Sequence, residues 1–292
     1  MCAFLSSDAA SPLPHVTALV AGGGRLPQLL MGALQAKKHA FVVLVYSDTD
    51  PSLCQRLADQ SVPHLLVSLG QVGKALHFLK EHHVKDIVMA GKFQRPHLKQ
   101  LKVDVKGGLW LAGLLKEPRG DDALLRFLAK KLEGEGFHII SPQAVLQDLT
   151  LPAGCLTNAV PQAADHTAIA TGFKVLRALS PFDVGQALVM VDGVVVGIEG
   201  AEGTDALIKR CAAFKKPQQR AVLIKGAKAT QDLRLDPPAL GATTIALLKQ
   251  HDFAGVAFEA NKTLVLEKET CIQKANAASL FVCAVEGKGG GV

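Results

Sequence analysis

The feature that most constrains this chain is a repeated alternation between short β-rich apolar runs and apolar residues at helical spacing. Val16–Ala21 is β-rich and ends in Gly22-Gly23-Gly24; Leu26, Leu29, Leu30 and Leu34 then share one helical face. Phe41–Tyr46 is continuously apolar, as in strands buried on both sides of a parallel sheet. A loop with Asp48, Asp50 and Pro51 follows, then a strand at Leu65–Ser68 and a helix carrying Val72, Leu76 and Leu79. Asp86–Ala90 is the next strand, stopped by Gly91. Gly120-Asp121-Asp122 opens an amphipathic helix with Leu124, Leu125, Leu128 and Leu132 on one face, and Phe137–Ile140 is a further strand. This order predicts an α/β fold with a doubly wound, Rossmann-like parallel sheet, whose ligands lie beyond the carboxyl ends of the strands.

Periodicity lapses between Leu151 and Asp165, where Pro, Gly, Ala and Asn collect. The length of 292 residues favours two domains. The expected organisation is a loose leader over 1–15, an N-terminal Rossmann-like domain over 16–150 and a linker over 151–165. A C-terminal catalytic α/β domain with a mixed sheet then covers 166–286, and a mobile Gly-rich tail 287–292. In the second half, Asp192-Gly193 between Ala187–Val191 and Val194–Ile198 is the strongest hairpin signal. Helices are expected at Ile169–Leu179, from Asp205, around Ile245–Leu248 and around Cys271. Strands are expected at Ala221–Ile224, Val256–Glu259, Thr263–Leu266 and Leu280–Val285.

Composition excludes several classes. With 49% hydrophobic and 20% charged residues, a disordered chain is ruled out. No apolar run reaches the roughly 18–20 residues that span a bilayer, and the first fifteen residues lack the basic and apolar blocks of a secretory signal. The six cysteines form no C-x-x-C pair, so neither a zinc ribbon nor a disulfide framework is expected; reduced thiols in a cytosolic setting are. A net charge of +6 suits anionic ligands. The basic cluster Lys99–Lys106 has no aromatic platform, so nucleic acid is not an expected partner. His77, His82 and His83 read as helix-end histidines rather than metal ligands.

Five segments carry candidate chemistry. Gly23, Gly24 and Arg25, between strand and helix, allow backbone N–H groups to approach a phosphate at a helix N-terminus, though the G-x-G-x-x-G and P-loop patterns are absent. Asp48 lies about where a dinucleotide fold would place its ribose acid. Lys92 and Arg95 follow a strand and would contact an anion on the same edge. In Gly120-Asp121-Asp122 one Asp is explained by capping and the second is spare. The turn Glu199–Asp205, with Glu202, Gly203, Thr204 and Asp205, gathers more carboxyl and hydroxyl groups than a cap needs. Finally, Lys225–Pro238 brings Lys225, Lys228, Asp232, Arg234 and Asp236 into one loop. Pro237 keeps Asp236 out of a helix, the chain stays extended, and Pro238 can start the next helix. Carboxylates that hold Mg²⁺ or orient water, beside cations that neutralise phosphate oxygens, suit phosphoryl chemistry.

Together these segments, with Asp183-Val184-Gly185-Gln186, resemble the LpxI-type UDP-2,3-diacylglucosamine diphosphatases of lipid A biosynthesis, from Val16 to about Val285. The resemblance implies two domains closing on an amphiphilic UDP-sugar lipid. It also implies Mg²⁺-dependent hydrolysis of the pyrophosphate to UMP and 2,3-diacylglucosamine 1-phosphate (lipid X), with attack at the sugar-side phosphorus. The family's catalytic Asp falls on Asp236, within Leu235-Asp236-Pro237-Pro238, where Pro237 replaces an apolar residue. Asp236 and Asp232 would hold Mg²⁺ and orient water, and Arg25, Lys225 and Lys228 would balance phosphate charge. Gly120–Asp122, Gln186 and the Glu202–Asp205 turn would position uridine or glucosamine groups. With no spanning segment, the protein would work in the cytoplasm, peripherally at the inner face of the inner membrane; homo-oligomer formation stays open. Two competing readings remain at this point: a nicotinamide-dependent oxidoreductase, suggested by the glycine turn and Asp48, and a non-catalytic carrier of nucleotide-sugars or lipids.

Overall fold

The computed structural model describes residues 15–46, 52–91, 93, 102–114, 121–229 and 231–286. The rest of the leader, the loop with Asp48, Asp50 and Pro51, and the expected tail lie outside the described residues. The chain divides into two compact units between Gln147 and Asp148.

The first unit contains β1 (Thr17–Ala21), α1 (Leu26–Ala36), β2 (Phe41–Tyr46), α2 (Ser52–Asp59), β3 (His64–Val67) and α3 (Val72–Glu81). It continues with β4 (Asp86–Ala90), α4 (Val105–Leu114), α5 (Asp121–Gly134), β5 (His138–Ile140) and α6 (Pro142–Val145). The five strands form one sheet in the order β3-β2-β1-β4-β5, and every pair is parallel. Helix α1 starts with Pro27 in its first turn, where the missing N–H costs nothing, and buries Leu26, Leu30 and Leu34. Helix α3 buries Val72, Leu76 and Leu79, the stripe its spacing predicted. Helices α2 and α4 were not legible as periodic segments. In α2 only Leu53 and Leu57 are buried, while α4 carries apolar residues on nearly every side, so no helical period stands out.

Strand order reverses between β1 and β4, so the turns that leave these two strands meet. Gly22 N donates to Ala90 O at 2.8 Å. Gly91 has φ +100°, and a Cβ there would lie 2.5 Å from Gly23 O. Only glycine satisfies both the left-handed backbone and this approach.

The second unit contains β6 (Gly154–Cys155), α7 (Ala163–Leu179), β7 (Ala187–Val191), β8 (Val194–Ile198), α8 (Thr204–Ala212) and β9 (Ala221–Lys225). Then come β10 (Ala239–Leu240), α9 (Ala242–Gln250), β11 (Gly255–Glu259), β12 (Leu264–Val265), α10 (Lys268–Asn276) and β13 (Phe281–Val285). A six-stranded mixed sheet runs β6-β13-β11-β9-β7-β8. Strands β9, β11 and β13 are mutually parallel; β7 lies antiparallel to β9, β8 to β7 and β6 to β13. Strands β7, β9, β11 and β13 are buried throughout, which explains why they read as continuous apolar runs. Leu188, Ile224 and Phe281 pack with Ile169 and Phe173 of α7. Val189, Leu223, Phe258 and Val282 pack with Leu207, Ile245 and Leu248 on the other side.

Three local expectations differ from the structure. The segment read as a linker contains β6, and the helix expected from Ile169 already starts at Ala163, where Asp165 accepts from Gln162 N at 2.8 Å in a capping box. Pro238 does not start a helix, because Ala239–Leu240 first pairs with β12 and α9 begins at Ala242. The expectation of reduced thiols throughout fails at one pair: Cys155 and Cys283 oppose each other in the β6–β13 register and form a disulfide. They are 128 residues apart in sequence, so only the sheet reveals them as neighbours.

Cys54 is half-buried, whereas Cys211 and Cys271 are buried and free. Burial raises the Cys211 thiol and pushes that of Cys271 up to about 11. Since the thiolate is the nucleophile, iodoacetamide at pH 8 is expected to label Cys54 in the folded protein and spare Cys211 and Cys271. Cys155 and Cys283 should react only after reduction and unfolding. Peptide mapping by mass spectrometry checks this; rapid native labelling of Cys271 would contradict its burial.

Candidate active site

In the first unit Gly23, Gly24 and Arg25 sit at the strand-order reversal, the place where open α/β sheets receive ligands. Gly23 and Gly24 leave β1 at its carboxyl end, and Arg25 caps α1. The Arg25 guanidinium donates to Gln28 Oε1 at 2.6 Å. Phe93 stands edge-on to Tyr46, the last residue of β2, with ring centroids 5.9 Å apart. Lys92, Arg95 and Gly120 lie outside the described residues, and Asp121 and Asp122 begin α5.

In the second unit the strand directions collect the candidates at one edge of the sheet. Strands β8, β9 and β11 all end there, and each apolar run is followed or closed by a charged residue: Glu199, Lys225 and Glu259. All three are only 6% exposed, so their partners decide whether the cluster is tolerable. Lys225 Nζ donates to Thr204 Oγ1 at 2.8 Å, and Thr204 Oγ1 donates to Glu199 Oε1 at 2.7 Å. Glu199 Oε2 accepts from Gln186 N at 3.1 Å. Gln186 precedes β7, whose Ala187 stands in register with Lys225. A Cβ on Gly185 would sit 2.1 Å from Glu199 O, so this glycine lets the two chain segments touch.

The Lys225–Pro238 loop is tied down over the same edge. Glu259 Oε2 accepts from Ala227 N at 2.9 Å while its Oε1 accepts from Lys262 Nζ at 2.8 Å. Lys228 pairs with Asp183, and Ala229 N donates to Ser180 Oγ. Gln231 is the loop's internal brace: Oε1 accepts from Lys228 N at 3.1 Å, while Nε2 donates to Asp236 O and, at 3.4 Å, to Gln186 Oε1. The segment expected to be extended instead turns at Asp232–Asp236, with Leu235 N at 2.9 Å and Asp236 N at 3.3 Å from Asp232 O. Asp232 accepts from Arg234 through both carboxylate oxygens, the shortest contact being 2.7 Å from Nη2. The Asp236 residue is exposed at the end of this turn.

The acidic turn divides by role. Thr204 enters the buried cluster, Gly203 caps α8 and Asp205 stands in its first turn. Glu202 faces outward, accepting from Arg210 Nη2 at 2.7 Å and from Gly200 N at 3.1 Å. The Arg210 guanidinium holds its carboxyl below the usual range. In the sequence Glu202 stands out over Glu199, and Asp183, Gln231 and Glu259 do not stand out as individual residues. The signal available for Glu199 and Glu259 is a carboxylate at the carboxyl end of an apolar strand run. Asp183 and Gln231 carried no such mark, since their partners are set by loop geometry.

The Thr204 hydroxyl joins the buried cation to the buried anion. Thr204→Val is expected to destabilise the fold by about 1–3 kcal/mol, because both charged partners lose a hydrogen bond. Thr204→Ser should stay within about 1 kcal/mol of the parent. Urea denaturation of the two variants measures the difference; equal midpoints would remove Thr204 from the network.

Residues 16–149 match the family model of the LpxI N-terminal domain, and residues 152–283 match that of the LpxI C-terminal domain. The chain is also 35% identical over 277 residues to a protein of Caulobacter vibrioides named UDP-2,3-diacylglucosamine pyrophosphatase LpxI, covering 92% of this chain and 96% of that relative.

Proposed function

The chain belongs to the LpxI family through both of its units, and from that membership we infer its activity: it is a UDP-2,3-diacylglucosamine pyrophosphatase of the lipid A pathway. The reaction adds water across the pyrophosphate of the lipid-linked UDP-sugar, giving UMP and 2,3-diacylglucosamine 1-phosphate. Neither a hydride carrier nor a binding-only role is needed to account for the residues. The observation that carries the reading is the match of both units to the LpxI domains, with an exposed carboxylate, Asp236, at the tied-down loop.

The finer mechanism is our proposal. Asp236 orients the attacking water toward the sugar-side phosphorus, so the bond from that phosphorus to the bridging oxygen breaks and UMP leaves. Asp232 assists by holding the turn: its carbonyl accepts from Asp236 N, and its carboxylate fixes Arg234. Lys225 and Lys228 supply positive charge near the phosphates. Lys228 would exchange its Asp183 partner for a phosphate oxygen. Gln186, Glu202, Gly203, Thr204 and Asp205 form the polar edge available to uridine or glucosamine groups.

The donor set fits Mg²⁺, a hard cation that takes one or two carboxylates and completes its shell with water and substrate phosphates. Asp236 would hold it, joined by Asp232 in exchange for its Arg234 partner; when bound it would polarise phosphoryl oxygens and neutralise developing charge. No helix among the described residues is long and apolar enough to cross a membrane. We therefore propose that the enzyme meets its lipid substrate peripherally, on the cytoplasmic side of the inner membrane.

Incubation with UDP-2,3-diacylglucosamine is expected to release UMP in the presence of Mg²⁺ and to stop in excess chelator. Asp236→Ala should lower turnover by at least about 100-fold while keeping the parent's melting temperature and substrate binding; near-normal turnover would remove Asp236 from the chemistry. In H₂¹⁸O the label is expected in the lipid phosphate. Label in UMP would place the attack on the other phosphorus.

A further inference from the structure

Helix α4 breaks the rule that a surface helix turns polar residues outward. Its inner side is fixed. A Cβ on Gly107 would lie 1.9 Å from Gly70 O, so backbone packs on backbone there. Asp104 secures the entry: its carboxylate accepts from Gly107 N at 2.7 Å and from Lys74 N at 3.1 Å, and its own N donates to Gly70 O at 3.0 Å. Trp110 is buried on the same side, and Gly113 stands where a Cβ would meet Phe127 of α5 at 3.2 Å. The rotation of α4 about its axis is therefore set. At 100° per residue, Val105, Leu109 and Ala112 fall opposite Gly107.

These three outward residues are all apolar and all exposed, Val105 at 87% and Leu109 at 70%. Val103, just before the helix, is 46% exposed. A contiguous apolar stripe held outward by the packing beneath it marks an interaction surface. The charges beside it say which kind. Lys74 and Lys102 are exposed, and the nearby acids are committed: Asp104 to backbone N–H groups, and Glu135 to Lys80 at 3.1 Å and Lys106 at 2.5 Å. Among the described residues no acid pairs with Lys74 or Lys102. An apolar stripe with uncompensated lysines beside it complements an anionic bilayer, which offers acyl chains and negative headgroups at one boundary.

We propose that α4 is the element by which this protein docks on an anionic lipid surface. Val105, Leu109 and Ala112 enter the acyl boundary, and Lys74 and Lys102 meet the headgroups. The inference rests on the lipid-substrate reading above and adds the membrane-facing element to it.

The test is flotation of the full chain with vesicles of equal parts phosphatidylglycerol and phosphatidylcholine, against vesicles of phosphatidylcholine alone. The parent should float with the anionic vesicles, and V105E/L109E should partition at least tenfold less. Release of UMP from substrate dispersed in detergent should be the same for both; this arm reads the enzymatic assignment separately and confirms a folded variant. If the double variant does not fold, Leu109→Trp provides the readout, with a blue-shifted emission expected on anionic vesicles. Equal flotation of parent and double variant, or no spectral shift, overturns the proposal. So does a smaller assembly for V105E/L109E in solution with flotation unchanged, since a second copy would then be what covers α4.

Discussion

Because β7 runs antiparallel to β9 and β8 reverses again, the ends of β8, β9 and β11 fall on one edge of the second sheet, with the start of β7 among them. A uniformly alternating α/β unit would bring only parallel strand ends to that edge. The reversal adds the Gly185–Gln186 entry to β7 and the Glu199 exit from β8, beside Lys225. The Lys225–Pro238 loop is tied to this edge through Gly226 N on Gln186 O, Ala227 N on Glu259 and Gln231 on Gln186. The Ala187–Lys225 register is thus the constraint on which the rest of the site depends.

The edge is a buried polar cluster with its partners supplied. Removing Lys225, Glu199 and Glu259 from water is costly for each alone. The cost is offset because cation and anion share the Thr204 hydroxyl, and each carboxylate also accepts a backbone N–H. Such a satisfied network is stiff, since any displacement strands a charge in low dielectric. Above it, the Asp232–Asp236 turn is more exposed and braced by Gln231. A stiff floor beneath a carboxylate open to solvent suits a reaction in which water must reach a bound pyrophosphate.

Much of this is legible in the sequence. Val72, Leu76 and Leu79 announced α3 because burial on one side imposes the helical period, and Asp192-Gly193 announced the β7–β8 turn because few dipeptides fit it. Segments whose burial has no period escaped. Helix α4 is apolar both inward and outward, and β6 is two residues long. The site was legible as a set of segments, not as contacts. Thr204 and Lys225 were found, but Glu199 stood behind Glu202 because spacing cannot tell an acid buried beside Lys225 from one paired outward with Arg210.

The sequence by itself determined the α/β class, the order of the periodic elements, the two halves and the family, because these rest on local periodicity and on runs of neighbouring residues. It also determined that Asp236 stays out of a helix, through the proline that follows it. The tertiary structure alone decided which charges share the sheet edge, that Cys155 meets Cys283, and that Val105 and Leu109 point outward from α4. Those outcomes depend on strand direction, register and the rotation of a packed helix, which are long-range consequences of burying many residues at once.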